Sequence, residues 1–143
     1  MPASEKGVRH KEKTREKFVE GKETVMLVDD EDMIIDVGRR MLGKLGYKVL
    51  TAGDGVEAIE VFKKYRDKID VIILDMIMPK MGGGETFDRI KKMKPEIKVL
   101  LSSGYSINGQ ASEILNRGCN GFIQKPFNLQ NLSQNLRSIL EEN

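Results

Sequence analysis

Short, wholly apolar runs alternate along this chain with longer stretches in which apolar residues recur every three or four positions. Val25–Val28, Val71–Leu74 and Ile97–Leu101, the last interrupted only by Lys98, are too short for buried helices, and they read as central strands. Tyr47–Ala52, interrupted by Lys48, predicts a more exposed edge strand, and Gly121–Ile123 a fifth strand. Between them, Asp32–Leu45 sets Ile34, Val37, Met41, Leu42 and Leu45 on one helical face, and Gly46 follows as a C-cap. Asp54-Gly55 opens a second helix with Ile59, Phe62 and Tyr65 inward. Gly84–Met93 forms a third around Phe87 and Ile90, stopped by Pro95. Asn108–Arg117 forms a fourth around Ala111, Ile114 and Leu115, and Leu129, Leu132, Leu136, Ile139 and Leu140 mark the last.

Five repeats of strand then helix predict an α/β fold, a doubly wound five-stranded parallel sheet with five helices covering both faces. The order 2-1-3-4-5 puts the mixed strand at an edge and keeps the crossovers right-handed. In that order the chain reverses direction between strands 1 and 3, and ligands bind in the crevice beyond their carboxyl ends. Asp29, Asp30 and Asp75 stand at those two ends.

Three carboxylates in one place repel each other unless a cation sits among them. A hard divalent ion prefers oxygen donors, and magnesium takes one or two carboxylates with waters and phosphate oxygens. Asp30 and Asp75 are the expected direct ligands of Mg2+ (with Mn2+ as a substitute). Asp29 serves directly or through water, and the backbone carbonyl of Ile77 completes the set. Helix capping is the competing role for Asp29 and Asp30; an Asx-turn is the competing role for Asp75. A carboxylate such as Asp75 can attack phosphorus and form an acyl phosphate. Ser103 ends the fourth strand with a hydroxyl that can reach a phosphoryl oxygen, while Ser102 faces the other way. Lys125 ends the fifth strand, and a cis bond to Pro126 would aim its ammonium inward.

Composition narrows the partners. The 143 residues, 39% hydrophobic and 32% charged, suit one domain with its own core. Residues 1–24 carry seven Lys/Arg and five Asp/Glu, leaving the rest of the chain balanced, so no basic face for nucleic acid is expected. Those early residues have few apolar side chains, and 1–23 is expected to be a charged linker or disordered tail ahead of a domain at 24–143. The single Cys119 allows no internal disulfide and reads as a small residue packed at a helix end. No run reaches the length of a membrane span and no signal-peptide core opens the chain, so a cytoplasmic location is expected.

Taken in order, Val-Asp-Asp-Glu, Leu-Asp-Met-Ile-Met-Pro, Ser-Ser-Gly and Lys-Pro-Phe make the region from about residue 24 to 141 resemble the receiver domain of two-component response regulators. The resemblance implies a flavodoxin-like fold and a phosphoacceptor, Asp75, that takes its phosphoryl group from a phosphohistidine with Mg2+ present. The donor would be a histidine kinase or histidine phosphotransfer protein. Asp29 and Asp30 carry over as the acidic pair, Ser103 as the switch hydroxyl, Lys125 as the phosphoryl contact and Phe122 as the switch aromatic. Phosphorylation would then reshape helix 4, strand 5 and helix 5. Ile77 and Tyr105 occupy positions that border water's route to the acyl phosphate. Gly82 departs from the family's usual Asp and implies a looser loop after Asp75.

The resemblance describes a switch with self-phosphorylation and autodephosphorylation activity rather than a turnover enzyme, a monomer or a weak phosphorylation-dependent dimer. No output domain is expected after the last helix. Pro-Ala-Ser-Glu-Lys at residues 2–6 and the charged run behind it resemble the lead into the C-terminal receiver of a hybrid sensor histidine kinase, with a stand-alone regulator as the other origin. The remaining alternatives are a phosphorylation-independent interaction module of the same fold and a haloacid-dehalogenase-like phosphatase. The phosphatase would carry Asp-x-Asp after strand 1 in place of adjacent Asp29-Asp30.

Overall fold

The computed structural model describes residues 20–104 and 109–141. The tail through residue 19, Tyr105 and the predicted helix start at residue 108 lie outside them. Strands β1 (Thr24–Val28), β2 (Lys48–Ala52), β3 (Val71–Asp75), β4 (Lys98–Ser103) and β5 (Gly121–Gln124) alternate with helices α1 (Asp32–Lys44), α2 (Gly55–Tyr65), α3 (Gly83–Met93), α4 (Gly109–Asn116) and α5 (Leu129–Leu140). All neighbouring strands are parallel, in the predicted order 2-1-3-4-5. Asp54 caps α2 by accepting from Glu57 N at 2.8 Å, and Asn128 caps α5 through Asn131 N at 2.8 Å.

The pleat sorts the strand residues between two cores. Met26, Val28, Ile72, Leu74, Val99 and Leu101 pack with Phe62, Phe87, Ile90 and Ile114 of α2, α3 and α4. Val25, Leu27, Val71, Ile73 and Leu100 pack on the other face with Leu42, Leu132, Leu136 and Ile139 of α1 and α5. The register sets Val28 beside Leu74 and Asp75 beside Ser102.

Three local features differ from the sequence pattern. Val37, expected on the inner face of α1, is 41% exposed, and Gly38 is buried in its place. A β-carbon on Gly38 would stand 2.7 Å from Leu27 Cδ2, so the helix approaches the sheet more closely than an apolar side chain would allow. Cys119 is half-buried rather than buried, its thiol donating to the Val99 carbonyl at 3.3 Å. Gly21 and Glu23, grouped by sequence with the charged tail, are bonded to the domain: Gly21 N donates to Leu45 O at 2.8 Å and Lys48 N donates to Glu23 O at 3.0 Å. Among the described residues no helix is long and apolar enough to cross a membrane.

The loop after β3 is tied down despite Gly82. Gly83 N donates to Met76 O at 2.9 Å, and the Thr86 hydroxyl donates to Gly82 O at 2.8 Å. A β-carbon on Gly83 would lie 2.6 Å from the Asp75 carbonyl oxygen and 2.7 Å from Met76 Cα, both backbone atoms. Gly83→Ala is therefore expected to lower stability by about 1–3 kcal/mol through overpacking. Urea unfolding checks it, and an unchanged midpoint would refute this account of the loop.

Candidate functional site

Parallel strands deliver their carboxyl ends to one edge of the sheet. β1 ends at Val28 and β3 at Asp75, with Asp29 and Asp30 continuing from the first. Asp29 and Asp75 are buried, at 1% and 3% exposure, whereas Asp30 is exposed. Carboxylate oxygens of all three can lie within 4.8 Å of one another.

Lys125 enters this group from the adjoining edge. Its backbone N–H donates to Ser103 O at 2.7 Å, which continues the β4–β5 ladder by one residue, and its bond to Pro126 is cis. The ammonium donates to Asp29 Oδ2 at 3.0 Å, Asp75 Oδ1 at 3.2 Å and Glu31 Oε1 at 3.5 Å. Its side chain is only 9% exposed, so its pairs with Asp29 and Asp75 are little screened by solvent, whereas Glu31 is 62% exposed. Burial alone would lower the Lys125 pKa, but the Asp29 bond and the Asp75 charge carry it above its ordinary value. Asp75 is pushed up to about 7, chiefly by burial and then by the Asp29 charge, with Lys125 opposing. One ammonium thus compensates two buried carboxylates only in part.

A cleft of about 500 Å³ opens over these groups, lined by Asp30, Glu31, Asp75, Ile77, Ser103, Gly104 and Lys125. The structure therefore brings Asp29, Asp30, Asp75, Ser103, Lys125 and Ile77 to one place. Ser103 is buried and lines the cleft, while Ser102 is buried without reaching it. Ile77 presents a 55% exposed side chain at its mouth. Phe122 lies away from the cleft, half-buried against the α2, α3 and α4 side of the core and opposite Leu101 in the β4–β5 register. Tyr105 falls outside the described residues. Glu31 has no role in the sequence reading, although it follows the acidic pair directly. The signal was its position: as the residue before α1 it points toward the cleft that the pair lines.

Residues 25–137 match the sequence profile of the response regulator receiver domain. The chain belongs to this family. Among curated relatives, sensor kinase CckA of Brucella abortus (strain 2308) is 35% identical over 142 residues, 98% of this chain and 15% of that protein. The probable transcriptional regulator ycf27 of Guillardia theta is 32% identical over 122 residues, 85% of this chain and 47% of that protein. The chain thus spans less than half of either relative. Among solved structures, a response regulator receiver domain protein from Clostridium thermocellum superposes with a TM-score of 0.79 at 30% identity, covering 82% of this chain and 94% of that one. The CheX-CheY-BeF3-Mg+2 complex from Borrelia burgdorferi gives 0.80 at 26% identity, over 84% and 90%.

Receiver domains bind magnesium at an acidic pocket, and the donors here fit such an ion. Asp29, Asp30 and Asp75 are hard oxygen donors within reach of one another, and the exposed Asp30 leaves the entry side open to water and ligand.

The raised Asp75 pKa fixes a pH dependence for the metal-free receiver. Between the ordinary carboxylate range and about pH 7 the folded chain holds a proton on Asp75 that the unfolded chain has lost. Stability from this group is full below that window and declines as pH rises through it, at no more than about 1.4 kcal/mol per pH unit. Asp75→Asn is expected to be more stable than the parent at pH 8 in chelator and to lose that advantage near pH 4. Denaturant melts of both chains at the two pH values test this; a pH-independent difference would contradict the assignment.

Proposed function

We propose that this receiver takes a phosphoryl group onto Asp75 from a phosphohistidine on a histidine kinase or histidine phosphotransfer protein. The observation that carries the reading is the buried Asp75 carboxylate at the floor of an open cleft, bonded to Lys125 and flanked by two further aspartates. An Asp75 oxygen attacks phosphorus while the phosphorus–nitrogen bond to imidazole breaks, and the imidazole leaves to be reprotonated by solvent. Asp29, Asp30, Asp75 and the Ile77 carbonyl would hold Mg2+ (or Mn2+), which supplies neutralisation of the phosphoryl oxygens. Lys125 turns part of its grip from Asp75 to the phosphoryl group. Ser103, on the cleft wall, donates to it, and Phe122 follows into the space so opened, reshaping α4, β5 and α5.

Residues 24–143 form the receiver in this reading and 1–23 a charged lead. The match to a sensor kinase runs through 142 residues, tail included, whereas the match to ycf27 covers 122. The reach of the sensor kinase match into the charged lead supports a receiver belonging to a hybrid sensor histidine kinase, its receiver in the cytoplasm, with a stand-alone regulator as the alternative. Neither nucleic acid nor membrane contacts this domain directly, and it is a monomer or a weak phosphorylation-dependent dimer.

Incubation with magnesium and acetyl phosphate, followed by intact mass, should show one phosphoryl adduct on the parent and none on Asp75→Asn. No adduct on the parent, or the same adduct on the variant, overturns the reading in favour of a phosphorylation-independent module. In this reading the apolar Ile77 at the cleft mouth shields the acyl phosphate from water. Ile77→Asn should therefore shorten the phosphorylated lifetime severalfold, and decay at the parental rate would remove Ile77 from that role.

A further inference from the structure

At the opposite edge of the sheet the chain enters the domain through a set of contacts that the phosphoacceptor chemistry does not use. Arg137, on α5, donates from Nη2 to Glu23 Oε1 at 2.6 Å and from Nε to the Tyr47 hydroxyl at 3.1 Å. Its guanidinium also lies 5.7 Å from the centre of the Tyr47 ring. Tyr47 is buried, and the Arg137 and Glu23 side chains are 17% and 31% exposed, so this is a half-buried pair, partly screened by solvent. The hydrogen bond from Arg137 holds the Glu23 carboxyl below its ordinary pKa against the opposing effect of burial.

The backbone is anchored at the same place. Gly21 N donates to Leu45 O, Lys48 N to Glu23 O, and Thr24 N to Asp70 Oδ2 at 2.8 Å. Gly21 lies so close to Tyr47 that a β-carbon there would stand 2.3 Å from ring atom Cε1. Opposite it, Gly46 at φ 93° brings its own α-carbon against the Gly21 carbonyl, where a β-carbon would be 2.5 Å from the oxygen. Two glycines, an aromatic ring and an ion pair therefore tie residues 21–23 to the turn before β2 and to α5 together.

We propose that Tyr47 and Arg137 form a docking surface for the segment that leads into the domain, and that this seat couples α5 to the polypeptide upstream of β1. The lead-in is thereby held against the turn between α1 and β2 and tied to α5 through Arg137, rather than hinged freely at β1. Any displacement of α5 pulls on Glu23 through Arg137, and the direction in which the upstream chain departs changes with it. The seat itself stands on the contacts above; its response to the cleft rests on the receiver reading, in which α5 is repositioned.

Amide hydrogen exchange by NMR on the full chain tests both parts. Gly21 and Lys48 amides should exchange about tenfold faster in Glu23→Ala and in Arg137→Met, with Leu27 and Ile73 unchanged. The double variant should be no faster than either single one, because the two residues act as one pair. Parental exchange at Gly21 in Glu23→Ala, or additive effects in the double variant, overturns the seat.

Beryllium fluoride with magnesium is then added, and occupancy of the cleft is read from the Ser103 and Gly104 amide shifts. Gly21 exchange should change severalfold in the parent and stay constant in Glu23→Ala. Shifts at Ser103 and Gly104 with no change at Gly21 overturn the coupling and leave the receiver reading standing. No shift at Ser103 and Gly104 counts against the receiver reading and with it the coupled response, and the seat is then decided by the variants alone.

Discussion

Two like-charged carboxylates, Asp29 and Asp75, are buried on adjacent strands with one ammonium between them. Like charges side by side in a sheet are unfavourable, and removing either from water costs several kcal/mol unless it is paired. The interaction holds only because three strands that are far apart in sequence end at the same level. β1 and β3 supply the acids, and β5, two strands from β3, must run far enough for Lys125 to reach back across β4. The sheet order, the strand lengths and the continued β4–β5 ladder all follow from placing that ammonium. The compensation is incomplete, since burial and Asp29 still push Asp75 up, and a site left short of positive charge is suited to receive more of it.

The surroundings are arranged to keep this edge open. On one side Met76, Met78 and Met81 are buried, so the loop after Asp75 folds down onto the α2 and α3 core instead of over the acid. Lys80 at its tip takes φ 68°, an uncommon backbone for a residue with a β-carbon, where its ammonium approaches Asp54 at 3.6 Å. On the other side Glu31 shares Lys125 with the buried acids from an exposed position. The single cation is thus divided among three carboxylates, and no buried side-chain polar atom among the described residues lacks a partner.

Most of this was legible in the sequence because it rests on periodicity. Apolar runs of three or four marked the central strands, Lys48 marked the edge, and chemistry sat where each run stopped. What escaped was carried by residues that such patterns do not weigh. Gly38 has no side chain to count, yet it sets how near α1 approaches Leu27 and so turns Val37 outward. Glu31 looked like one more acid in a polar stretch, and only the reach of Lys125 gives it a partner. Gly21 and Glu23 belong by composition to the charged lead, but their anchors are backbone groups and an arginine more than a hundred residues later. Long-range pairs of that kind leave no trace in local spacing.

The alternation that divides the strand residues between two cores has one more result. Asp29 and Asp75 continue the phase of Leu27 and Ile73, and Lys125 continues that of Ile123, all on the side covered by α1 and α5. A slip of one residue in any of these strands would turn its core residues outward and carry its polar terminus to the wrong side of the sheet. Misassembled chains therefore lose their core packing and their chemistry in the same event. The register that packs the two cores is also the register that wires the site.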